Sequence, residues 1–101
     1  MRLNLSTLDT LDADRRPLVD PRGLRPRIVH FGLGAFHRAH QAVYTEAAAD
    51  RSGQPWGIAA VAPRSAGTVA ALRAQDGLYS LTERAADGPR TRVVGALVEG
   101  W

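Results

Sequence analysis

The 101-residue sequence contains no cysteine and no lysine, and its one asparagine is Asn4. Without cysteine there are no disulfides, no thiolate zinc sites and no sulfur nucleophile. Without lysine there is no Schiff-base chemistry and no lysine general base within these residues. All thirteen basic side chains are arginines, against ten acidic ones, and only six residues are aromatic. The arginines are scattered, apart from Arg15-Arg16 and the Arg22/Arg25/Arg27 group. A nucleic-acid surface needs clustered charge with stacking platforms, so no nucleic-acid partner is expected. No apolar run approaches the roughly 18 residues of a membrane span, so no membrane role is expected either. Met1-Arg2-Leu3-Asn4-Leu5 lacks the long apolar region of an export signal, and a cytoplasmic address is the expectation.

What is present is a chain of 45% hydrophobic residues, enough to fold. Seventeen of these are alanine and only 21 are Leu, Ile or Val, so any core is thin. Residues 1–26 read as an N-terminal arm: Leu3, Leu5, Leu8 and Leu11 offer a short apolar contact, and Pro17, Pro21, Gly23 and Pro26 interrupt regular structure. At Arg27 the texture changes. Ile28-Val29-His30-Phe31 is a buried-strand run closed by Gly32. Phe36, Ala39, Val43 and Ala47 then recur at helical spacing on one face. Trp56 to Ala62 reads as a second strand, and Ser65 as the N-cap of a helix running to about Gln75 with Val69 and Leu72 inward. Asp76-Gly77 supplies a positive-φ stop. Leu78–Glu83 and Arg92–Glu99 read as two more strands, with Asp87-Gly88 as a hairpin turn.

The order β-α-β-α-β-β predicts an α/β fold, an incomplete Rossmann-like dinucleotide-binding domain. Residues 27–101 would form its N-terminal part. Two helices cannot cover both faces of a parallel sheet, so layer counting predicts that the chain stops in mid-domain.

The chemistry is concentrated at Gly32-Leu33-Gly34-Ala35-Phe36-His37-Arg38, where a strand runs through two glycines into a helix. Gly32 permits a tight turn. Gly34 lacks a Cβ, so a pyrophosphate can approach the backbone, and the N–H groups of Ala35 to His37 face that anion. His37 takes the third fingerprint position, where other dinucleotide folds carry Gly or Ala. Arg38 reads equally as a phosphate contact or as a solvated helix arginine. His37 and His40, three apart on one helix face, lack a third metal ligand and read as structural side chains bonded to nearby backbone, so no metal is expected. His30 reads as a satisfied core or interface residue. After the second strand, where a carboxylate would hold the adenosine ribose, the chain has Ala62-Pro63-Arg64-Ser65. Arg64 reads as an adenine or 2′-phosphate contact, or as a plain surface residue, which leaves NAD and NADP both open.

The run Gly32-Leu33-Gly34-Ala35-Phe36-His37-Arg38-Ala39-His40-Gln41, followed by Tyr44, resembles the N-terminal signature of the mannitol dehydrogenase family of long-chain polyol dehydrogenases. That family keeps the Phe-His-Arg-Ala-His continuation, which accounts for His37. Trp56-Gly57-Ile58 and Gln75-Asp76-Gly77-Leu78-Tyr79 resemble its second strand and the segment opening its third. Arg64-Ser65 and the latter block lean toward fructuronate reductase-like members. The resemblance implies metal-free hydride transfer between a nicotinamide cofactor, NAD with NADP possible, and a sugar alcohol or aldonate and its keto sugar or hexuronate. Cofactor binding carries over to Gly32, Leu33, Gly34, Ala35, Phe36, His37 and Arg38. The family's catalytic lysine, asparagine and histidine come from a later helical domain, so the resemblance implies no catalytic residue in this chain. It follows that these residues alone would be inactive. The competing expectation is a free-standing, non-catalytic nucleotide-binding module.

Overall fold

The computed structural model of the chain describes residues 3–32, 34–62 and 66–100. Three strands make a parallel sheet: β1 (Arg25–Phe31), β2 (Trp56–Val61) and β5 (Leu97–Gly100), in the order β1-β2-β5. Helices α1 (Ala35–Ala39) and α2 (Gln41–Ser52) connect β1 to β2, and α3 (Ala66–Ala74) follows β2. Between α3 and β5 lies an antiparallel hairpin of β3 (Tyr79–Ala85) and β4 (Gly88–Val94). The expected α/β, Rossmann-like class is the observed one, with differences inside it.

The central strand is β2, and its residues Gly57 to Ala60 are buried, as a parallel strand covered on both faces requires. β1 departs from the expected buried strand. Ile28 and His30 are half-buried, whereas Val29 and Phe31 are 62% and 78% exposed. Among the described residues β1 is hydrogen-bonded to β2 alone, at one side of the three-stranded sheet.

The expected helix face of Phe36, Ala39, Val43 and Ala47 is also displaced. The chain breaks at His40 (φ −122°, ψ −73°), and α2 starts its own register. Ala42, Thr45, Glu46 and Ala49 become its buried residues. Gly53, in the left-handed region, caps α2 through its N–H to the Ala49 carbonyl at 3.0 Å. On α3, Val69 and Leu72 are buried as expected. The stop is the expected one too: Asp76 and Gly77 both take positive φ.

The expected single strand Arg92–Glu99 is divided at Gly95-Ala96. β4 stays with the hairpin, whereas β5 turns into the parallel sheet, with the Ile58 N–H donating to the Ala96 carbonyl at 2.8 Å. Glu46 fixes that corner. It is fully buried, and its two carboxylate oxygens accept the Gly95 N–H at 2.6 Å and the Leu18 N–H at 2.9 Å. Burial pushes its pKa up, against the two amide hydrogen bonds and the charge of Arg92, while Asp50 adds to the rise.

The main core joins Ile58, Ala60 and Ala62 of the second strand region to Val69, Leu72, Tyr79, Val94 and Leu97. The N-terminal residues form short 3-10 turns at Leu5–Thr10, Ala13–Arg15 and Pro21–Gly23, and bury Leu8 against Leu78 and Val93. Asn4 and Thr7 make a reciprocal cap, and the Leu5 N–H donates to Asp76 at 2.9 Å. No helix among the described residues is long and apolar enough to cross a membrane.

Candidate dinucleotide site

Parallel strands deliver their connecting turns to one end of the sheet, and ligands of open α/β sheets bind outside those carboxyl ends. The β1–α1 turn lies there. The Gly32 N–H donates to the Val61 carbonyl at 2.8 Å, so the ladder runs one residue past β1 before the chain turns. Gly32 then takes φ +122°, a conformation that side chains with a Cβ rarely adopt. Gly34 is different: a Cβ built there meets no described atom within 4 Å. Packing therefore does not demand glycine at position 34, and the space in front of it is open to a ligand. α1 begins at the next residue, with the Arg38 N–H closing onto the Gly34 carbonyl at 3.1 Å. The N–H groups opening such a turn have no partner within the helix itself.

His37 binds this turn to the strand. It is 6% exposed, and its ring lies flat on that of His30 from β1, with centroids 3.8 Å apart and planes 3° from parallel. Its Nδ1 is 3.0 Å from Gln41 Oε1, whereas its Nε2 is buried with no hydrogen-bond partner among the described residues. Burial lowers the His37 pKa, with the Gln41 hydrogen bond acting against it and His30 adding to the fall. The partner of His37 is thus a side chain one helical turn on rather than nearby backbone. His40 does not share a helix face with it, because His40 is the break between α1 and α2. Among the described residues no three His, Asp or Glu side chains gather as metal ligands would.

Arg38 is half-buried, its buried Nε has no hydrogen-bond partner among the described residues, and its carbonyl accepts the Tyr79 hydroxyl at 2.6 Å. The structure therefore brings Gly32, Gly34, His37 and Arg38 together at one end of the sheet, with Ala35 and Phe36 in the backbone of α1 between them. Leu33, Pro63, Arg64 and Ser65 lie outside the described residues. Reading the sequence alone misses three contributors. Gln41 was findable, since it follows His37 at i+4. The His30–His37 stack and the Tyr79 tie join residues distant in sequence, and no local pattern marks them.

The family model for the mannitol dehydrogenase Rossmann domain matches residues 26–100. The chain is 44% identical over 97 residues to the polyol:NADP oxidoreductase of Gluconobacter oxydans, covering 90% of this chain and 20% of that protein. It is 37% identical over 87 residues to the D-mannonate oxidoreductase of Escherichia coli, covering 83% of this chain and 18% of that protein. The solved ternary complex of Pseudomonas fluorescens mannitol 2-dehydrogenase with NAD and D-mannitol superposes with a TM-score of 0.85 at 34% identity, covering all of this chain and 22% of that one. The chain spans about a fifth of the length of these relatives. With the family match over residues 26–100 and the fold shared with a solved member, this chain belongs to the mannitol dehydrogenase family.

Proposed function

We propose that this chain is the cofactor-binding N-terminal part of an NAD-dependent oxidoreductase. On this reading the whole protein interconverts a sugar alcohol or aldonate with its keto sugar or hexuronate. The observation that carries the reading is the turn itself: Gly32 at φ +122° and, two residues on, Gly34 facing open space at the carboxyl end of β1. The turn fits a pyrophosphate, because the backbone after Gly34 is approachable and its N–H groups are free of helix partners. When bound, the nicotinamide would accept or donate the hydride. Gly32, Leu33, Gly34, Ala35, Phe36, His37 and Arg38 would hold the dinucleotide, and Arg64 would meet its adenosine end. His37 shapes the turn by stacking on His30, and Arg38 adds charge toward phosphate.

NAD is the proposed cofactor, with NADP allowed: one relative above is solved with NAD and another is named for NADP. Catalytic residues would come from outside these 101 residues, so the chain alone would bind without turning over. Residues 1–26 as an arm, residues 27–101 as the Rossmann part and a cytoplasmic setting belong to the same proposal.

The test is Gly34→Val in the intact protein. The new side chain meets no described atom, so the melting temperature should stay within a few degrees of the parent's. It would, however, fill the pyrophosphate path, and NAD affinity should fall about tenfold or more. Unchanged NAD affinity would refute the placement of the site.

A further inference from the structure

The turn is only as well placed as α1, and α1 has five residues. A helix this short does not hold itself, because one hydrogen-bonded turn fixes about six dihedrals for a single bond. It does not run on into α2 as one helix, since the chain breaks at His40, although the His37–Gln41 hydrogen bond joins the two and the His30 stack holds its middle. Its far end is held from another part of the fold. The Tyr79 hydroxyl, 41 residues away at the start of β3, donates to the Arg38 carbonyl at 2.6 Å. Tyr79 is 8% exposed and belongs to the main core with Val94 and Leu97, so its ring is fixed. Its pKa is raised by burial and by the negative charge of Glu46, with Arg38 opposing, so the hydroxyl stays protonated as a donor at all ordinary pH values. The same Arg38 closes α1 through its N–H to the Gly34 carbonyl. One residue therefore takes the tyrosine on its C=O and the glycine turn on its N–H.

We propose that Tyr79 is a positioning residue for the dinucleotide turn, locking α1 to the β3–β4 hairpin so that the backbone N–H groups after Gly34 are set for a pyrophosphate. It acts through Arg38 and Gly34 rather than by touching the cofactor. This rests on the turn being the dinucleotide site. A tyrosine that only supported the core would affect stability and leave ligand discrimination alone. A positioning tyrosine weakens ligands according to whether they carry the pyrophosphate.

The experiment is calorimetric titration of the intact protein with NAD, ADP-ribose and adenosine, for the parent, Tyr79→Phe and Leu81→Ala. Leu81 packs on the same core from the same strand and serves as the stability control. Tyr79→Phe should weaken NAD and ADP-ribose by the same factor, about fivefold to tenfold for one buried hydrogen bond. Adenosine, which lacks phosphate, should bind Tyr79→Phe as it binds the parent. Leu81→Ala should melt lower yet bind all three ligands as the parent does. Parent-like NAD affinity in Tyr79→Phe, equal weakening of adenosine, or equal weakening in Leu81→Ala would each overturn the proposal while the dinucleotide reading stands. Failure of the parent to bind NAD would overturn both.

Discussion

Replacing Glu46 by glutamine changes one oxygen to an amide nitrogen and removes one buried charge, and the structure fixes what that costs. Both carboxylate oxygens accept backbone N–H groups, from Gly95 at 2.6 Å and from Leu18 at 2.9 Å. A glutamine carbonyl can serve one of them. Its NH2 group then meets the other N–H donor to donor. Gly95 is buried and Leu18 is exposed, so the carbonyl should stay on Gly95 and the Leu18 N–H should turn to water. The loss is one charge-assisted hydrogen bond, about 1.5–3 kcal/mol, and weakening of the other, offset by relief of the buried charge. The net expectation is about 2 kcal/mol of destabilisation in urea unfolding at pH 7. Glu46→Ala, which leaves both amides without the acceptor and opens a cavity, should cost about 4 kcal/mol.

The pH dependence gives a second, independent signature. Glu46 has a raised pKa in the folded state, so the native protein holds its proton at pH values where the unfolded chain has lost it. The corresponding stability is fully present below the unfolded value of 4.5 and is lost as pH rises through the folded value. Glutamine has no such dependence. The deficit of Glu46→Gln relative to the parent should therefore be widest below pH 4.5 and narrow as pH rises. A variant as stable as the parent at pH 7 would refute the assignment of Glu46 as the clip between the N-terminal arm and the β4–β5 corner, and a deficit that widens with pH would refute the raised pKa.

Gly77→Ala should destabilise the fold by several kcal/mol, since Gly77 has φ +79° and a Cβ there runs into the Leu97 carbonyl oxygen of β5; thermal melting of the intact protein checks it. His37 carries the opposite pH sign to Glu46. Its pKa is lowered on folding, so the unfolded chain takes up a proton near 6.5 before the native one does, and stability is lost as pH falls below that value. His37→Gln should flatten that part of the melting-temperature profile between about pH 7 and pH 5, and a profile with the parent's slope would contradict the buried, stacked placement of the ring.

Much of this was written in local pattern. The β-branched run into Gly32 and Gly34 marks a strand, a tight turn and a helix start, because glycine alone supplies both the φ and the missing Cβ. Val69 and Leu72 face inward because their spacing fits one face of a helix. Asp76-Gly77 is legible for the same conformational reason. The features that escaped depend on tertiary contacts. The break at His40 carries no proline or glycine, and it rotated the buried face of α2 from Val43 and Ala47 to Ala42 and Glu46. A continuous apolar run, Val93 to Val98, hid the corner at Gly95-Ala96, where a distant carboxylate decides that the chain turns. The exposure of Val29 and Phe31 is not marked in their composition, which reads as a buried strand. At the site, glycines and the helix start were legible, whereas the His30 stack and the Tyr79 tie belong to the folded arrangement alone.

The central claim is that the β1–α1 turn holds a dinucleotide pyrophosphate. Hydrogen–deuterium exchange of the intact protein, with and without saturating NAD, tests it most directly. The account predicts that NAD slows exchange in the peptide spanning Phe31 to Arg38, and that Gly34→Val abolishes the effect at the same NAD concentration. Saturable NAD binding that leaves this peptide unprotected, or no NAD binding at all, would contradict it.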